Sequence, residues 1–99
     1  MTLTRENILQ TVERNATELR RFGVRKLALF GSFARGDTGH ESDLDFLVEF
    51  EKKTFDGYMD LKELLEKTFS RKVDLVIADG IKPRLRSTIL SEAVHAQGF

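Results

Sequence analysis

The sequence has no cysteine, which excludes a disulfide framework, a thiolate metal site and a cysteine nucleophile. Its histidines number two, His40 and His95, which argues against a zinc cluster. There is one proline, Pro83, and no repeat, low-complexity tract or linker divides the chain. No segment approaches the roughly 18–20 consecutive apolar residues of a membrane span. The start Met1-Thr2-Leu3-Thr4-Arg5-Glu6 lacks the pattern of a secretory signal. A cytoplasmic protein without membrane attachment is therefore expected. An excess of one charge is also missing: 16 Lys and Arg balance 16 Asp and Glu, so direct stable nucleic-acid binding is not expected.

What is present suits one small core. The 99 residues are 40% hydrophobic, and a chain of this size buries roughly 60–70% of its unfolded surface. Ile8, Val12, Ala16, Leu19 and Phe22 recur at three- and four-residue spacing. The spacing predicts one amphipathic helix with Thr4 as N-cap and Gly23 as its stop. Lys26-Leu27-Ala28-Leu29-Phe30 reads as a short buried strand closed by a turn at Gly31. Leu44, Phe46, Val48 and Phe50 alternate with Asp45, Leu47 and Glu49, a second strand with one apolar face. A helix starting near Asp56 carries Tyr58, Leu61, Leu64, Leu65 and Thr68 on one stripe. Lys72 to Ile77 gives a third strand, and Pro83 suits the start of a last helix with Leu85, Ile89, Leu90 and Ala93 on its apolar side.

The chemistry gathers in two stretches. Gly31-Ser32-Phe33-Ala34-Arg35-Gly36 follows an apolar run directly, where a Gly-Ser turn can offer backbone N–H groups to phosphate. Asp43 and Asp45 stand at i and i+2, which places both carboxylates on one face of a strand. The connection from the second to the third strand is long enough for a parallel crossover. Parallel pairing sets Asp74 beside Asp43 and Asp45, and an antiparallel first strand brings Gly31 and Ser32 to the same edge. The fold expected is α/β (α+β): a small mixed sheet of about three strands with helices packed on one face.

Magnesium prefers oxygen ligands and is commonly held by one or two carboxylates together with substrate phosphates. Asp43 and Asp45 are the candidate metal ligands, and Asp74 would complete a second metal's shell and orient or deprotonate an incoming hydroxyl. Ser32 would grip the distal phosphates, and Arg35 either answers phosphate charge or pairs with Asp37 or Glu41. Ser42 either joins the nucleotide contacts or braces the Asp43 turn. His40 and His95 read as a loop and a tail residue, and Tyr58 as a ring packed on its helix. Lys82, Arg84 and Arg86 read as a solvated charge run.

Gly31-Ser32-Phe33-Ala34-Arg35-Gly36, Ser42-Asp43-Leu44-Asp45 and Val73-Asp74-Leu75-Val76 together resemble the three-part signature of the polymerase-β-type nucleotidyltransferase superfamily. The chain's size and the tail Lys82-Pro83-Arg84-Leu85-Arg86-Ser87-Thr88-Ile89-Leu90 resemble the minimal nucleotidyltransferases, the MNT-type antitoxins paired with HEPN-domain ribonuclease toxins. The resemblance implies that residues 1–99 form a single minimal nucleotidyltransferase domain, with the Gly-Ser pair on a triphosphate and three carboxylates holding two Mg²⁺ ions. It further implies transfer of AMP from ATP to a tyrosine hydroxyl of a partner toxin. Larger relatives carry an extra helical domain for the acceptor; its absence here favours an acceptor on another protein. A stoichiometric binding antitoxin with a weak or vestigial nucleotide site stays open as the alternative, as does assembly into a homodimer.

Overall fold

Thr4 caps the first helix as expected. Its Oγ1 accepts from Asn7 N–H at 3.2 Å while its own N–H donates to Asn7 Oδ1 at 2.8 Å, a reciprocal capping box. The computed structural model describes residues 3–36 and 43–99. The single helix predicted up to Phe22 is instead two, α1 (Arg5–Arg14) and α2 (Ala16–Arg21), divided at Asn15. The cause is local competition for a carbonyl. Asn15 Nδ2 donates to Thr11 O at 2.8 Å, taking the acceptor that its backbone N–H would use in a continuous helix. That N–H turns to Val12 O instead, at 3.0 Å.

Strand β1 (Val24–Phe30) runs directly into a short helix α3 (Gly31–Arg35), so the expected Gly-Ser turn is the first turn of a helix. Next come β2 (Leu44–Phe50), α4 (Phe55–Phe69), β3 (Val73–Ile77), a 3₁₀ turn (Ala78–Gly80), α5 (Pro83–Glu92) and β4 (Val94–His95). The strands order as β3-β2-β1-β4, with β1 antiparallel to β2 and to β4, and β2 parallel to β3. The mixed pairing inferred from the meeting of polar groups is therefore present. The fourth strand extends the sheet by a two-residue edge, and His95, read as a tail residue, pairs there with Ala28.

Period-two alternation divides the core. Leu27, Leu29, Leu44, Phe46 and Val48 on one sheet face pack with Ile8, Val12, Leu19, Leu61 and Leu65 of α1, α2 and α4. Each such side chain contributes roughly 1.5–3 kcal/mol on burial. The other face holds a smaller cluster of Ala28, Leu47 and Ile81, with Ile89 and Ala93 packed against it. The last helix thus covers the face opposite the other helices, which corrects the one-faced arrangement expected.

Candidate active site

Topology alone assembles the site. The C-terminal end of β1 meets the N-terminal end of β2 because the two are antiparallel, and Phe30 stands opposite Asp45. The parallel β2–β3 pair then sets Asp45 opposite Asp74. Both aspartates alternate with core residues, so both lie on the α5 side of the sheet. Asp43 stands just ahead of β2 and is exposed. Asp74 is exposed as well, so it is not the buried carboxylate that an apolar strand suggests.

Gly31 is a glycine for a reason that the sequence does not display. Its φ is +74°, and a Cβ built there would overlap the Asp45 carboxylate, approaching Cγ to 2.9 Å. The left-handed turn into α3 and the Asp45 side chain occupy adjoining space. Ser32 follows, partly exposed, while Phe33 and Ala34 are buried and anchor α3 to the core. Two arginines brace that anchor. Arg71 lies 5.4 Å from the Phe33 ring centroid, and Arg5 donates to Ala34 O at 3.1 Å.

The carboxylates sense one another. Burial pushes the Asp45 pKa above its ordinary range, and the negative charges of Asp74 and Asp43 raise it further against the pull of the Arg35 guanidinium. Arg35 itself is ion-paired to Glu92 of α5, with Nη1 and Oε2 3.1 Å apart. Sequence reasoning missed Glu92, since 57 residues separate the pair and no local pattern links them. The alternatives named for Arg35, Asp37 and Glu41, fall outside the described residues, as do Ser42 and His40. Tyr58 packs against the main core and donates from its hydroxyl to Leu75 O at 2.7 Å, as a structural residue does.

Among the described residues, no three acidic or histidine side chains close into a cage for an ion by themselves. The donor set nevertheless suits magnesium. It is all carboxylate oxygen, and the like-charge repulsion felt by Asp45 is what a divalent cation relieves. Gly31, Asp45 and Asp74 thus adjoin in the fold, with the charges of Asp43 and Arg35 close enough to act on Asp45.

Residues 11–95 match the family profile of the nucleotidyltransferase domain. The chain is 39% identical over 95 residues to the protein adenylyltransferase MntA of Thermococcus cleftensis, covering 94% of this chain and 96% of that protein. A solved structure described as a minimal nucleotidyltransferase superposes with a TM-score of 0.78 at 37% identity, covering 93% of this chain and 95% of that one. An MNT antitoxin in complex with a tri-AMPylated HEPN toxin of Shewanella oneidensis superposes with a TM-score of 0.65 at 20% identity, over 92% of this chain and 73% of that one, and shares the fold.

Proposed function

Because this chain belongs to the nucleotidyltransferase domain family, we propose that it is an antitoxin that transfers AMP from ATP to a hydroxyl, a tyrosine's, of a HEPN-type toxin. The observation that carries the reading is Asp45 standing opposite Asp74 across β2 and β3, with Gly31 packed on Asp45. A half-buried Asp45 whose ionisation is made costlier by burial and by the charges of Asp74 and Asp43 serves no pure binding surface. The name of the Thermococcus relative supports protein adenylylation, and the Shewanella complex supports the class of partner.

Each residue has a distinct task. Asp43, Asp45 and Asp74 would hold two Mg²⁺ ions, which supply positive charge against the developing charge on the phosphate oxygens. Gly31 lets the chain turn close to Asp45, so that Ser32 and the first N–H groups of α3 face the β- and γ-phosphates. Arg35 and Ser42 are the further residues assigned to the triphosphate. Asp74, the exposed strand carboxylate, orients the acceptor hydroxyl and takes its proton. The hydroxyl oxygen bonds to the α-phosphorus, the bond from that phosphorus to the bridging oxygen breaks, and pyrophosphate leaves.

The test is label transfer from [α-³²P]ATP, with magnesium, to a HEPN-domain toxin of the same genome. Asp74→Ala is expected to bind Mg·ATP through Asp43 and Asp45 yet transfer at least about a hundredfold more slowly, since the lost interaction acts mainly in the transition state. In cells expressing the toxin, the parent should restore growth and this variant, at equal abundance, should not. Rescue by Asp74→Ala with no adenylylated toxin in the mass spectrum would replace the enzyme by a stoichiometric binder.

A further inference from the structure

Glu92 has no task in the chemistry above, yet it meets the arginine beside the candidate phosphate site. Resting on the nucleotidyl-transfer reading, we propose that Glu92 is a positioning residue that holds the Arg35 guanidinium ready for the triphosphate of ATP. Three observations carry this. The ion pair is short, 3.1 Å, and joins two helices that pack against each other, so the carboxylate is delivered to Arg35 by the fold. Glu92 is the more covered partner, its side chain 27% exposed against 47% for Arg35, so the acid is the fixed point and the guanidinium the adjustable one. The short helix that carries Arg35 also begins at Gly31, which packs on Asp45, so Glu92 holds a guanidinium borne on the same helix as the candidate phosphate contacts.

The chemistry of the two groups separates positioning from quenching. Arg35 meets Glu92 through Nη1, and a guanidinium, with five N–H donors in a planar fork, has the donor count to serve both an acid and a phosphate. A long arginine stem loses rotamer freedom when it binds, and an ion pair already formed lowers that cost. The pair also cancels a carboxylate that would otherwise repel the triphosphate. Glu92 therefore acts through Arg35 and has no favourable contact of its own to offer the nucleotide.

A mutant cycle tests this, with the Kd of Mg·ATP read by titration calorimetry and kcat by label transfer to the toxin. Glu92→Ala is expected to weaken ATP binding roughly three- to tenfold, through the arginine freedom it restores, with kcat within about twofold of the parent. Glu92→Gln keeps an oxygen acceptor and should stay within about twofold of the parent in Kd. In an Arg35→Ala background, Glu92→Ala should weaken binding no further. Tighter ATP binding in Glu92→Ala would make the acid a quencher and overturn the proposal. An equal penalty with and without Arg35, or a fall in kcat at unchanged Kd, would overturn it too. A parent that takes no Mg·ATP would remove the nucleotidyl-transfer reading and this inference together, whereas a parent that binds alongside a flat cycle removes the inference alone.

Discussion

Replacing Gly31 by alanine tests the local geometry on which the site depends, and its cost can be worked from two separate effects. The first is backbone strain. At φ +74° an alanine bears the penalty of the left-handed region, about 1–2 kcal/mol. The second is overlap, because the added methyl would sit inside contact distance of the Asp45 carboxylate. That side chain is held between β1 and β3, so relief requires an altered rotamer or a shift of the strand, typically about 1–3 kcal/mol. The sum, roughly 2–5 kcal/mol, is a large part of the 5–15 kcal/mol that holds a small domain together. At about 4–8 °C per kcal/mol for a domain of this size, Tm should fall by 8 °C or more.

The two effects separate in a double-mutant cycle. Asp45→Ala removes the atoms that the new methyl strikes and leaves the φ penalty in place. Gly31→Ala introduced into Asp45→Ala should therefore cost only about 1–2 kcal/mol, a coupling of at least roughly 1 kcal/mol between the sites. Urea unfolding of the four proteins measures each corner, with equal m-values as the check that the transition remains two-state. A Gly31→Ala protein within about 0.5 kcal/mol of the parent would refute the strain and the overlap alike. A full penalty that persists without the Asp45 carboxylate would refute the overlap alone.

Two further outcomes follow from the same geometry. The Asp45 pKa is raised above its ordinary value of 3.8, so the stability this group contributes is present in full at low pH and is lost as pH rises through the folded value. Asp45→Asn should consequently stabilise the nucleotide-free protein at pH 7, by about 1 kcal/mol for like charges in a partly solvated site. Its advantage in Tm should shrink as pH falls through and below the ordinary carboxylate range, where the Asp45 charge is lost; a pH-independent gain would contradict the electrostatic cause. Tyr58→Phe removes the hydrogen bond to Leu75 O and should cost about 1 kcal/mol in chemical denaturation. Its KM for ATP should match the parent's, and a rise of tenfold would give Tyr58 a part in the nucleotide site.

What could be read in the sequence is what depends on period and spacing. Alternation identified β2 and its two faces, and the pairing of strands followed from asking where Gly31, Asp45 and Asp74 could meet. Features set by competition or by distance along the chain stayed hidden. Asn15 breaks the first helix because its side-chain amide takes a carbonyl from its own backbone N–H, which a hydrophobic stripe does not register. The last helix carries too few apolar residues to reveal which sheet face it covers, and no residue of it is fully buried. Asp74 has apolar neighbours in the sequence, which do not reveal that a strand at the sheet's border leaves alternate side chains to solvent.

The places where this chain goes against its own stability coincide with the candidate site. A left-handed backbone at Gly31 closes against a half-buried carboxylate, and that carboxylate faces a second one across the sheet. Away from the site Ser70 ends α4 in the left-handed region at φ 51°, while Thr4 and Thr54 cap their helices, Pro83 opens α5, and no buried side-chain polar atom among the described residues lacks a partner. A fold under selection for stability alone would have no cause to retain Asp45 beside Asp74, since an amide in the same place removes the repulsion. Under the proposed function ligand charge would supply the missing stabilisation, because anything that binds the folded state in preference to the unfolded one raises its stability by mass action. The order of stabilities should accordingly reverse with Mg·ATP present: Asp45→Asn above the parent without nucleotide, and the parent above Asp45→Asn once the acidic edge is filled.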